Sequence, residues 1–348
     1  MKYFLKKTLF FSLPVFFLLI IVNYSIDPAN LFSSNYENNI ANALLSQKNI
    51  TNIDNYDDRK LQRNIINKIN YCPNTIVLGS SRTMLLNSIN CNNTSFLNNS
   101  VSGATIEDIL GIYQLYVKNN YFPKKIILGI DPWLLNENNG QERWKSISSE
   151  YNDFLKSINK NPVDINNSSY LQLVSPSYFQ SSVNMLFNKK ENPIVTNKRF
   201  NRSITKIFDG SITYDQKFRQ ADLNIIMGKV DKFIEGKIYS IENYQNLSYK
   251  NRILFEHFIK ILNDNNVEIE FFLSPYHPKV YNFIKNQKKY KNVNESEKYF
   301  LSIAKKLNIE VLGSYDPFKL NLNESHFYDG MHCNEKGVDL ILSKKYKL

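Results

Sequence analysis

Three cysteines, Cys72, Cys91 and Cys333, are too few and odd in number for a complete disulfide framework. One bridge between Cys72 and Cys91 remains allowed outside the cytoplasm. Cys333 stands beside His332, yet no second Cys-His cluster accompanies it, so the sequence offers no zinc site. The net charge is +11, but no helical stretch carries a sustained basic face with interleaved aromatics, which argues against nucleic acid as a partner. The lysines are scattered and rise together with Asn and Ile, as a compositional bias would produce. The alternative is attraction to an anionic envelope polymer or lipid surface. There is no internal repeat and no low-complexity tract beyond the asparagine bias.

Long apolar runs are also absent, with one exception. Lys2, Lys6 and Lys7 flank a run from Leu9 to Val22 that reads as a signal-peptide core or a short membrane anchor. No small-x-small cleavage site follows, and Asn23-Tyr24-Ser25-Ile26-Asp27-Pro28 offers bulky or polar residues where a peptidase needs small ones. The expectation is therefore an uncleaved transmembrane helix within residues 1–27. The preceding lysines place the N-terminus in the cytoplasm and the bulk of the chain on the extracytoplasmic side of the cytoplasmic membrane.

Beyond the apolar run the chain reads as globular: 348 residues with 43% apolar content are ample for a packed core. Residues 28–56, rich in Asn and Ser and without a sustained apolar period, read as a tether or an irregular first layer. From 57 onward, helices and strands alternate. The pattern predicts a helix over 57–71, a strand over 75–78, a strand over 95–97, a helix over 105–121 and a strand over 125–130. After a polar, patchily periodic stretch at about 136–246, read as an insertion with a helix at 222–238, the alternation resumes. Helices are predicted at 249–264 and 296–307, strands at 267–273 and 309–312, and a last helix behind Asn334 as N-cap. Such alternation predicts an α/β fold with a parallel sheet, whose strand-end loops gather at one edge where ligands bind.

Two of those loops carry chemistry. Gly79-Ser80-Ser81-Arg82 comes after the first strand, where glycine permits a tight turn and a serine projects from it. Asp329-Gly330-Met331-His332 lies near the end of the chain, at a spacing that lets the carboxylate hold imidazole Nδ1 while Nε2 faces a serine. A serine hydroxyl is a poor nucleophile until a neighbouring base takes its proton, and the imidazole serves only when a third group fixes its tautomer. His326 is a second candidate base. Arg82, Asp131, Trp133 and His277, all on strand-end loops, are candidate substrate contacts: Arg82 for a phosphate or carboxylate, Trp133 for a sugar ring.

These motifs resemble the SGNH hydrolase superfamily, which has a nucleophilic Ser in its first block, a Gly in its second, an Asn in its third and Asp-x-x-His in its last. With the anchor, Gly-Ser-Ser-Arg and the large insertion, the chain is similar to the membrane-anchored branch that includes alginate O-acetylation proteins and the D-alanyl transfer protein of lipoteichoic acid synthesis. The resemblance implies a three-layer α/β/α sandwich with a parallel sheet over 57–348. It implies Ser81 as nucleophile, His332 as base and Asp329 as its orienting acid, with an oxyanion hole from the N–H groups of Ser81 and Gly103. It further implies a serine-dependent O-acyltransferase or esterase acting on a cell-envelope polysaccharide or related polymer, with a cell-envelope glycan or an anionic polymer as partner. A membrane-bound acyltransferase would supply the acyl group, and the chemistry requires no metal or organic cofactor. One position departs from the pattern: Asp131 stands where the third block has its oxyanion Asn. An ionised carboxylate cannot donate to an oxyanion. Asp131 must be protonated, turned away or engaged with substrate. The departure also admits an inactive binding or assembly protein of an envelope acylation machinery; an anchored lipid or peptide hydrolase is a third reading, which would need an apolar acyl groove.

Overall fold

The structure is a computed structural model that describes residues 2–28, 32, 35–164, 169–187, 192–343 and 345–346. Parts of the expected tether (29–31, 33 and 34) and insertion (165–168 and 188–191) lie outside the described residues. Twelve α-helices are described: α1 Lys2–Ile26, α2 Asn35–Leu45, α3 Asp58–Ile66, α4 Ile106–Lys118, α5 Ser148–Ser157, α6 Pro176–Phe187, α7 Gln216–Arg219, α8 Leu223–Glu235, α9 Tyr249–Asp264, α10 Pro278–Lys285, α11 Lys291–Leu307 and α12 Glu335–Ser343. The ten strands are β1 Asn49–Thr51, β2 Thr75–Leu78, β3 Phe96–Asn98, β4 Lys125–Gly129, β5 Ile194–Thr196, β6 Thr205–Lys206, β7 Ile212–Thr213, β8 Glu268–Leu273, β9 Glu310–Gly313 and β10 Lys345–Tyr346.

The main sheet has the order β10-β9-β8-β4-β2-β3. Its β3, β2, β4, β8 and β9 are parallel, and β10 pairs antiparallel with β9. Strands buried on both faces can be apolar throughout, as Thr75-Ile76-Val77-Leu78 nearly is. Alternate residues go to two separate apolar clusters. Ile76, Leu78, Ile126, Leu128, Phe271 and Leu273 join one, with Leu61 and Ile65 of α3, Ile109 of α4, Phe258 of α9 and Phe300 of α11. Val77, Ile127, Phe272 and Leu312 join the other, with Met84, Ile212, Tyr328, and Val338 and Ile341 of α12. The chain order reverses at β2, which lies between β3 and β4, and the crevice beyond the strand ends at such a reversal is where open α/β sheets take ligands.

From residue 35 the chain takes up regular structure. α2 buries Ile40, Ala41 and Leu44 against the core, and β1 enters a second, antiparallel sheet of order β5-β1-β6-β7. In that sheet Asn49 faces Thr196 and Thr51 faces Thr205. The segment next to the apolar helix is thus woven into the insertion. The hairpin of β6 and β7 is fastened to the main domain. Ile212 N–H donates to Met84 O (2.9 Å), Asn98 N–H to Asp209 O (2.8 Å), and the Asp209 carboxylate accepts from the N–H and Oγ of both Ser88 and Ser211.

All three cysteines are free thiols, so the bridge that composition allows is not formed. α11 begins five residues before the predicted 296, because Asn292 and Val293 are already buried against the core.

Lys206 is wholly buried on β6, and among the described residues its Nζ has no hydrogen-bond partner. Burial pushes its amine down, against the pull of Asp58 and Asp209. A folded-state value below the unfolded one means that the folded protein resists protonation, so this group subtracts stability at neutral pH and ceases to do so as pH rises toward the ordinary lysine value. Lys206→Met is expected to raise the thermal midpoint at pH 7 by at least about 2 °C, since one kcal/mol moves a chain of this size by a few degrees. Unfolding scans at pH 7 and 10 check this; a lower midpoint at pH 7 would reveal a counter-ion for the ammonium.

Candidate active site

Ser81 sits just past β2, in the first turn of a short 3₁₀ segment, Ser81–Thr83, capped by Ser80 Oγ, which accepts from Arg82 N–H. Gly79 is required at the strand end: a Cβ there would lie 2.6 Å from Thr83 Oγ1 and 3.0 Å from Gly129 Cα. On the other side of the crevice, Phe327 and Cys333 form a β-bridge that closes the loop holding Asp329 and His332. Asn334 caps α12 behind it, its Oδ1 accepting from Gly337 N–H (3.0 Å).

The two loops meet. Ser81 Oγ lies 2.9 Å from His332 Nε2, and His332 Nδ1 lies 2.9 and 3.1 Å from the two Asp329 oxygens. Asp329 Oδ1 also accepts the N–H groups of Met331 and His332, both at 2.9 Å. Burial pushes the Asp329 carboxyl up, but the His332 ring and those two N–H donors outweigh it and hold the group at about 2. A carboxyl held below its ordinary value of 3.8 stabilises the fold above that value, and the contribution is lost as pH falls toward about 2. The stability gap between the native chain and Asp329→Asn is therefore expected to narrow between pH 5 and 2 in acid-unfolding curves, and the carboxylate stays ionised across the neutral range.

One guanidinium holds this arrangement in register. Arg82 is buried; its Nη1 donates to Asp131 Oδ1 (2.9 Å), its Nε to Met331 O (3.0 Å) and its Nη2 to Ser274 O (2.5 Å). It also lies over the Tyr276 ring at 4.4 Å. Because Arg82 is next to Ser81 and Met331 is next to His332, the Arg82–Met331 bond staples nucleophile to base. Burial alone would lower the guanidinium's affinity for its proton, but Asp131 reverses that effect.

The sequence marks Arg82, Asp131, Trp133 and His277 as substrate contacts; the structure buries all four. Asp131 is turned to Arg82, whose guanidinium needs a carboxylate beside it. Trp133 Nε1 donates to Ala104 O (2.9 Å) and so supports the loop of Gly103. His277 Nδ1 accepts from Lys279 N–H as the cap of α10, its Nε2 has no partner among the described residues, and burial pushes the ring down to about 4, so it is neutral at pH 7. His326 is not placed at Ser81: its Nδ1 accepts Asn323 N–H (3.0 Å) in a cap of its own.

Gly103 has φ +58°, a left-handed conformation. Its neighbours are fixed: Ser102 N–H donates to Asp58 Oδ2 (2.9 Å), and Ser102 O accepts from Arg59 Nη2 (3.0 Å), which is also paired with Asp108 at 2.8 Å. Among the described residues, the N–H groups of Ser81 and Gly103 donate to no backbone or side-chain acceptor.

No family model, curated protein or solved structure matches this chain. The site therefore stands on its own geometry.

Tyr214 carries no mark in the sequence. Its ring lies 6.0 Å from that of His332, 5.0 Å from Tyr328 and stacked on Phe218 at 5.5 Å. The β6–β7 hairpin delivers it, and two-residue strands leave no periodic signal. Phe218 in turn lines an open cleft of about 1060 Å³ with Arg202, Lys217, Lys229 and Asp215 among its walls. Among the described residues, no group of three or more His, Cys, Asp or Glu is arranged to hold a metal ion.

Proposed function

We propose that this protein is a serine-dependent acyl-transfer enzyme, an O-acyltransferase or esterase of SGNH type acting on a cell-envelope polysaccharide or related polymer. The observation that carries the reading is the continuous relay from Ser81 Oγ through His332 to Asp329, with both links at 2.9 Å. Ser81 Oγ attacks the acyl carbonyl as His332 Nε2 takes its proton. The tetrahedral oxyanion is held by the N–H groups of Ser81 and Gly103, and collapse expels the donor's leaving group, which takes the proton from His332. An acceptor hydroxyl or water, deprotonated by His332, then attacks the acyl-Ser81 ester and releases the enzyme. The chemistry requires no metal or organic cofactor.

The finer fold reading is a three-layer α/β/α sandwich, supported by five parallel strands with apolar clusters against both faces. One N-terminal helix, Lys6–Ile26, is apolar enough to cross a membrane, with a mean hydropathy of 2.2. We read it as a single-pass anchor with the body outside the cytoplasm, where a membrane-bound acyltransferase would supply the acyl group. The second reading, an inactive binding or assembly protein of an envelope acylation machinery, draws on Asp131; the pairing of Asp131 with Arg82 and the intact Ser81, Asp329 and His332 favour the enzyme.

The cleft beside Phe218 is suited to an anionic glycan acceptor, since it gathers Arg202, Lys217 and Lys229, the last with its Nζ over the Phe218 ring, which leads through Tyr214 to His332. Phe218→Ala is expected to raise KM for such an acceptor about fivefold while leaving donor-dependent acylation of Ser81 within about twofold, because losing the ring that holds the Lys229 ammonium costs about 1 kcal/mol. Initial rates against acceptor concentration decide it; equal loss in both steps would remove the cleft from the scheme. The central test is intact-mass spectrometry of the full chain in detergent after exposure to an activated acetyl ester. A single acetyl adduct that disappears on adding acceptor is the expected result, and a folded protein that takes up none would refute acyl transfer.

A further inference from the structure

The segment from Ser169 to Phe187 stands apart in composition and placement. No charged residue occurs between Asp164 and Lys189, in a chain that is 22% charged. The described part comprises a 3₁₀ turn, Ser169–Val174, and α6. Both pack on the C-terminal part of α1, and polar bonds fix the junction. Asn23 of α1 is wholly buried; its Nδ2 donates to the carbonyls of Gln172, Leu173 and Ser175 at 3.0–3.3 Å, and its Oδ1 accepts from Ser182 Oγ (3.1 Å). Tyr178 Oη donates to Asp27 Oδ1 (2.6 Å). Tyr178 and Ser182 are the buried residues of α6, so its inward face is spent on these contacts.

The open surface of the segment is uncharged: α6 shows Ser177, Gln180, Ser181 and Asn184 along its length, with large apolar side chains at its C-terminal end and on the turn before it. Tyr170, Leu171, Val174, Leu186 and Phe187 are all exposed, Phe187 by 81% and Tyr170 by 73%. In water such a surface has no compensation, and a helix meant for water would carry charges on it. The feature that names the occupant is continuity: the patch begins where the apolar surface of α1 ends, and rings of Tyr24, Phe32 and Tyr170 run across the junction at 5.7 and 6.2 Å. Aromatic side chains with a polar tip collect at the boundary of hydrocarbon and headgroups. The buried Asn23 amide, satisfied by protein carbonyls, also removes the need for water at the end of the span.

We propose that Ser169–Phe187 is a second membrane contact, lying in the lipid interface at the C-terminal end of α1 and covered by headgroups and upper acyl chains. The inference rests on α1 crossing the membrane, and not on the acyl-transfer reading. It makes the insertion a foot for the domain. With α1 and α6 locked together by Asn23, the body meets the bilayer on two bonded helices and is held at a fixed attitude.

The test uses full-length protein with Cys72→Ser and Cys91→Ser, reconstituted alone into vesicles of phosphatidylcholine and phosphatidylglycerol. Nitroxide is attached at Leu171→Cys, Phe187→Cys, Val15→Cys within α1, or Leu223→Cys on α8. Collision rates with oxygen and with a water-soluble nickel chelate are compared by power-saturation EPR. Labels at 171 and 187 should favour oxygen over nickel several-fold, as at 15, while 223 shows the reverse. If 171 and 187 match 223 while 15 stays in lipid, the proposal fails with the anchor intact, and the patch is left to a protein partner. If 15 also reports water, the anchor reading fails and takes the proposal with it.

Discussion

Ser81→Ala should take up no acetyl group from an activated ester and should lose turnover at least about a thousandfold, with its unfolding curve unchanged within about 0.5 kcal/mol. Ser81 is partly exposed and its Oγ has His332 as its hydrogen-bond partner, so the fold does not lean on the hydroxyl. Asp329→Asn is the more telling companion. The amide keeps the oxygen that accepts the Met331 and His332 N–H groups. It presents NH₂ to His332 Nδ1, however, which makes Nδ1 the acceptor and moves the ring proton to Nε2. The imidazole is then in the wrong tautomer to receive the serine proton, and the rate should fall by about 10²–10⁴. Burst kinetics with a chromogenic acetyl ester measure both variants. If Asp329→Asn retained near-native acylation, the carboxylate would be only a loop brace.

The second large effect concerns Asp131. Restoring the asparagine of the resembled family, Asp131→Asn, is expected to destabilise the protein by about 3–5 kcal/mol without raising the acylation rate. The reason is that Arg82, buried among Asp131, Met331 O and Ser274 O, would lose the counter-charge that Asp131 gives it. That is a large part of the 5–15 kcal/mol that typically separates folded from unfolded chains. Replacing both partners, Arg82→Met with Asp131→Leu, should cost less than the sum of the single changes, since it leaves no unpaired charge. Chemical denaturation of the four proteins tests the coupling. A faster, equally stable Asp131→Asn would place the 131 side chain at the oxyanion instead.

Much of the main sheet was legible because its strands are apolar runs ending in glycine or serine and its helices keep a 3.6-residue period. The predicted strand at 75–78 and helix at 249–264 coincide with β2 and α9. Ser81, His332 and Asp329 were legible as local motifs. The pairing of Arg82 with Asp131 was not, because it joins two separate motifs 49 residues apart. The second sheet was hidden for a different reason. Its strands are two or three residues long, half of them polar, and their pairing depends on partners far along the chain. α2 was obscured by its asparagines, which occupy the exposed side of a helix whose Ile40, Ala41 and Leu44 face inward.

The placement of β1 also sets an order of events during synthesis. Asn49 leaves the ribosome soon after the apolar helix, but the Asn197 and Lys198 carbonyls its side chain meets lie 148 and 149 residues later. At typical elongation rates of about 5–20 residues per second, that strand waits roughly 7–30 s with both edges open. Through that interval the nascent chain carries an unpaired strand close to its start. The β6–β7 hairpin, which brings Tyr214 to His332, then closes the same sheet. The candidate site is thus assembled only after the latest partner of the earliest strand has been made.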